Sequence, residues 1–166
     1  MKKIFYILLL PFLFFSCKEI PEQERGIPGL EEVAVKKPKF NIDSVEKDLT
    51  ERGYQTFRYE EGDTTYLMQQ YYMVFLKRGE NRSQDSTEAA ELQKQHLAHL
   101  SRMAEEGYAS LIGPFGSDGE IRGIAVYNTA TEKEADSLAR LDPMVKSERL
   151  KIEVHPWWTA KGGKLN

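Results

Sequence analysis

Along residues 66 to 155 the spacing of apolar side chains alternates between a period of two and one of about 3.6, which separates strands from helices. Tyr66 to Leu76 reads as the strongest strand. Tyr72, Val74 and Leu76 lie on one of its faces and Tyr71, Met73 and Phe75 on the other, so both faces need cover. After a polar loop from Arg78 to Ser86, Ser86 or Thr87 is expected to cap a long helix on which Ala89, Leu92, His96, Leu100 and Met103 share one arc, widened by Leu97 and Ala104. His96 thereby points at the core, while His99 falls on the flank nearer water. Gly107 ends this helix. Tyr108 to Ile112 and Ile121 to Tyr127 then read as two strands joined by a turn over Gly113 to Gly119. A helix capped by Thr131 runs to Asp142-Pro143, and Arg149 to His155 forms a strand with Leu150, Ile152 and Val154 inward.

This βαββαβ order, with short right-handed crossovers, predicts an α+β fold: a four-stranded antiparallel sheet with two helices on one face. The first strand is central and the last is an edge, in keeping with their two-sided and one-sided patterns. Ahead of them the sequence predicts an extension, a surface helix over Ile42 to Arg52 capped by Asn41 or Asp43, and a hairpin starting at Tyr54 to Tyr59. Helices cover one face of such a sheet. The apolar face left over is expected to meet the same face of a second copy, making a homodimer.

The first residues change the picture of location. Residues 1–16 have the parts of a secretion signal: Lys2 and Lys3, an apolar run from Ile4 to Phe15 too short to span a bilayer, and Ser16 before Cys17. Phe14-Phe15-Ser16-Cys17 resembles a bacterial lipoprotein cleavage box, which predicts lipidation at Cys17 and a membrane-anchored envelope protein. Residues 17–40 are charged and broken by Pro21, Gly26, Pro28, Gly29 and Pro38, so they are expected to be a flexible tether; residues 161–166 form a tail after a domain over 41–160. Loss of the leader leaves 21 basic against 26 acidic residues, which argues against nucleic acid as a partner. Cys17 is the single cysteine, so disulfides and thiolate metal cages are excluded.

Candidate chemistry centres on His96, because an imidazole on a core-facing stripe needs partners for both nitrogens or a polar cleft beside it. A satisfied core histidine is the plain alternative. His96 and His99 could share a metal, yet no third ligand is spaced with them, and no metal or cofactor is expected. Arg82, Ser83, Gln84 and Asp85 lie on the loop before the long helix and either contact an anion or are simply solvated. Gly113 and Gly116 precede no helix and form no phosphate loop. Tyr127, Trp157 and Trp158 line a pocket or a partner surface, or close the core after the last strand.

The residues H-L-A-H-L at 96–100, the turn G-P-F at 113–115, the run A-x-x-L-A-x-x-D-P at 135–143 and the closing V-H-P-W-W at 154–158 together resemble the YCII-related domain family over roughly Tyr66 to Trp158. The resemblance implies a ferredoxin-like fold paired into a dimeric α/β barrel, similar to that of muconolactone isomerase. It also implies a catalytic His and Asp pair, which falls here on His96 and Asp142. Candidate substrate contacts around the pair are Arg82, Ser83, His99, Gly113, Pro114 and Phe115. A carboxylate on one imidazole nitrogen would fix the tautomer and leave the other nitrogen as a general base near neutral pH. Two functions stand: a small enzyme moving a proton on a small molecule in isomerisation or elimination, and a non-catalytic ligand-binding or protein-interaction module.

Overall fold

The computed structural model of the protein describes residues 41–163 and 165. The expected leader, the lipidation site at Cys17 and the tether lie outside the described residues, as do two residues of the tail. The order is α1 (Ile42–Glu51), β1 (Thr56–Glu61), β2 (Thr64–Arg78), α2 (Ser86–Glu105), β3 (Ala109–Pro114), β4 (Ile121–Tyr127), α3 (Glu132–Ala139), α4 (Pro143–Lys146) and β5 (Leu150–Ala160).

All strand pairings are antiparallel, and β2 is the axis of the sheet. Its residues Tyr72 to Lys77 pair with β4 on one edge and with β5 on the other, while β3 lies outside β4. This is the ferredoxin-like order β5-β2-β4-β3. The strand β1 of the expected hairpin pairs with Thr64 to Gln69, the N-terminal overhang of β2, and adds a fifth strand to the four of the βαββαβ core. Met68 and Gln69 pair with β1 and β5 alike, which places β1 on the same edge of β2 as β4. The last strand runs past His155 to Ala160 because the 15-residue β2 offers it a partner all the way; Pro156 is tolerated since β5 is an edge with no ladder beyond it.

Tyr72, Val74 and Leu76 of β2 face the helices and form the core with Met103, Ala109, Ala125, Tyr127, Met144 and Leu150. Ala135 and Ala139, both fully buried, let α3 approach the sheet closely. On the opposite face Leu67, Gln69 and Tyr71 are buried within the chain, where Gln69 donates to Asn128 Oδ1, Tyr54 donates to the Asn128 carbonyl and Lys161 lies over the Tyr71 ring. Met73, Phe75 and Ile124 on that face are only half-buried and Trp157 is exposed.

Two local expectations are corrected. The cap of α2 is Asp85 rather than Ser86 or Thr87: its Oδ1 accepts from the backbone N–H groups of Thr87 and Glu88 at 2.8 and 2.9 Å, one residue earlier than the apolar period suggests. A further one-turn helix, α4, follows α3; four residues are too few to carry a period that sequence reading can detect.

Candidate functional site

Asp142 is where α3 gives way to α4. Pro143 cannot extend α3 but suits the first position of a new helix, so Asp142 becomes the α4 N-cap, its Oδ1 accepting from the Met144 N–H at 2.8 Å. Its other oxygen, Oδ2, accepts from His96 Nδ1–H at 2.6 Å. Both partners are buried, Asp142 at 1% exposure and His96 at 8%. One carboxylate thus fixes a helix start and an imidazole together. With Nδ1 committed to Asp142, His96 is held as the Nδ1–H tautomer, and Nε2 is left as its acceptor.

His96 lines a cavity of about 430 Å³ between α2 and the sheet, a volume suited to a small molecule. Leu76, Leu100, Ile112, Met144 and Leu150 make its apolar wall, with Gln93 on the α2 side and Gly113 and Pro114 on the β3 side. Three arginines, Arg82, Arg122 and Arg149, also line it, and no carboxylate among the described residues does. Gly79 sets two of them side by side. A Cβ there would come within 2.0 Å of the Glu148 carbonyl oxygen, so only glycine lets the loop after β2 lie against the turn before β5. The Gly79 N–H donates to the Arg149 carbonyl at 3.0 Å and Asn81 Nδ2 donates to the Ser147 carbonyl at 3.1 Å, which joins the two segments. Arg82 is exposed, and partial desolvation with the charges of Arg149, Arg78 and Arg122, opposed by Asp118, lowers its pKa from its ordinary value.

Of the substrate contacts expected from sequence, Arg82, Gly113 and Pro114 line this cavity; Ser83, His99 and Phe115 do not. Ser83 is turned to Asn81 Oδ1 through both its N–H and its hydroxyl. Phe115, past the end of β3, is exposed and borders a shallower depression with Leu111 and Ile124. His99 was expected nearer water, yet it is 5% exposed, because α4 packs on α2. Its Nδ1 accepts from Arg102 at 3.2 Å, which places the ring proton on Nε2, where it has no partner. Leu97, expected inward, is exposed at the cavity rim. Burial, opposed in part by Asp142, pushes the His99 pKa below its ordinary value. The Tyr127 hydroxyl is pushed up to about 12 by burial and by the nearby Asp142 charge.

Arg122, Arg149 and Gln93 are cavity residues that sequence reading missed. The arginines carried a usable signal: Arg122 opens β4, Arg149 precedes β5 and Arg82 follows β2, and antiparallel pairing brings these three strand ends to the same end of the sheet. Among the described residues no three His, Cys, Asp or Glu side chains converge as a metal site.

A family model described as the YCII-related domain matches residues 71–158, more than half of the chain. A search of curated proteins finds no match.

Proposed function

Taking as premise that the chain belongs to the YCII-related domain family, we propose that it is a small-molecule enzyme in which His96 Nε2 takes and returns a proton, in isomerisation or elimination. The observation that carries this reading is the 2.6 Å bond to a buried Asp142 from the Nδ1–H of His96, which itself lines a ligand-sized cavity. Asp142 is the positioning residue: it holds the ring in one tautomer, so that Nε2 meets the substrate as a base and becomes the acid for the return step. A merely structural histidine would not need an open wall beside its free nitrogen. The experiment is proton exchange in D2O on a panel of enolisable ketones and lactones, followed by NMR. Wild type should exchange label into at least one compound faster than buffer, and His96→Gln should abolish this with its melting transition intact. Exchange that is absent from wild type, or equal in the variant, overturns the reading and favours the non-catalytic module.

We propose also that the protein is lipidated at Cys17 and anchored at the cell envelope, as the layout of residues 1–17 supports. Cys17→Ser should move it out of the membrane fraction. A homodimer through the sheet face bearing Met73, Phe75, Ile124 and Trp157 is the third part of the reading, supported by the incomplete cover of that face within the chain. Light scattering at micromolar concentration should give twice the monomer mass; a monomer would remove this part and leave the His96 site untouched.

A further inference from the structure

We propose that the substrate of this cavity is a small organic anion, whose charged group is held by Arg82, Arg149 and Arg122 and whose apolar body lies toward His96; the proposal rests on the proton-transfer reading of the same site. Three arginines line a cavity that no carboxylate among the described residues lines, in a chain whose net charge is −3, so the concentration of positive charge is local to the site. Internal partners account for only part of it, at Arg122. Asp118 pairs with Arg122 and Arg78. Arg149 bonds only the neutral Gln84 Oε1, at 2.8 Å, and Arg82 makes no hydrogen bond or ion pair among the described residues. Like charges held together are costly unless something offsets them, and an anion in the cavity would.

The backbone segments that carry the arginines are also tied in place, although the Arg82 side chain itself is exposed. The Gly79 approach and the Asn81 bond join the segments that carry Arg82 and Arg149, and the Phe115 N–H donates to the Arg122 carbonyl at 2.9 Å, keeping Arg122 beside the β3 wall. Partial desolvation and repulsion from Arg149, Arg78 and Arg122, opposed by Asp118, disfavour the charge on the exposed Arg82, and an anion beside it would act the other way. Planar guanidinium groups match carboxylate or phosphate oxygens in pairs, and the apolar wall of Leu100, Ile112 and Met144 fits the rest of an aromatic or aliphatic acid.

The test is calorimetric titration of the full-length protein with benzoate, phenyl phosphate and the neutral benzamide. At least one of the two anions should bind saturably, and benzamide about tenfold or more weaker, the scale of one charge-assisted contact. Whichever anion binds more tightly identifies the carboxylate or phosphate source. Arg82→Gln and Arg149→Gln should each weaken the anion about tenfold. Arg82 has no partner to lose, so its variant should melt as wild type does. Equal affinity for benzamide, full anion affinity in both variants, or no saturable binding at concentrations on the order of ten millimolar would overturn the proposal. Calorimetry on wild type reads anion binding directly and needs no turnover. Anion binding without proton exchange would therefore overturn the proton-transfer reading alone, and exchange on a neutral ketone unaffected by the arginine variants would overturn this one alone.

Discussion

His96 and His99 lie one turn apart on α2 and are buried to nearly the same degree, yet their surroundings differ in every respect that bears on chemistry. His96 donates to a carboxylate and lines a cavity. His99 accepts from Arg102 and holds its Nε2 proton against no partner. Burial by itself therefore does not mark a functional histidine. The distinguishing features are the charge of the partner and the access left to the second nitrogen, and both are supplied by a different element, α4 with its cap.

The same substitution at both positions should separate them most sharply. His96→Leu strands a buried carboxylate and should cost about 3 kcal/mol, read by urea denaturation. Asp142→Ala should cost slightly less, about 2–3 kcal/mol, because it removes the α4 cap and the His96 partner together but leaves no buried charge. A double-mutant cycle between the two should return a coupling of about 1–2 kcal/mol; additive losses would mean that the pair is not an interacting unit. His99→Leu should instead stabilise by up to about 1 kcal/mol, since it deletes an unsatisfied donor and nothing buried depends on it. The smallest effect belongs to Arg102→Gln, expected within about 0.5 kcal/mol of wild type, because that side chain is half exposed.

The pH dependence sharpens the contrast further. The folded-state pKa of His99 is depressed below its ordinary 6.5, so the unfolded chain binds this proton more readily than the folded one. The contribution of neutral His99 is fully present above about pH 6.5 and is lost as pH falls toward its folded value. Wild type should accordingly lose stability on acidification through that window, and His99→Leu should lose less. Parallel profiles of the two proteins would place the titration elsewhere.

The histidines also show how far the sequence could be read. The stripe of Leu92, His96, Leu100 and Met103 was legible because a single helix fixes which of its own side chains share an arc. The exposure of Leu97 and the burial of His99 were not, since they depend on what packs against α2, and α4 is one turn long. The His96 and Asp142 pairing came from resemblance to a family, and the two lie 46 residues apart in the chain. Arg82 was visible as a loop cation, but its company of Arg122 and Arg149 required the strand ends to be brought together.

Local pattern thus determined the α+β class, the element order, the central place of Tyr66 to Leu76 and the inward turn of His96. These follow from periodicity and from connection rules that act over short stretches of chain. Tertiary structure decided the rest: the burial of His99 beneath α4, a carboxylate reaching His96 from a helix start, and three arginines around one cavity. The reason is physical. Side-chain direction within an element is set by backbone geometry, whereas a partner across the fold is set by how whole elements pack, and that information is spread over every residue in the core.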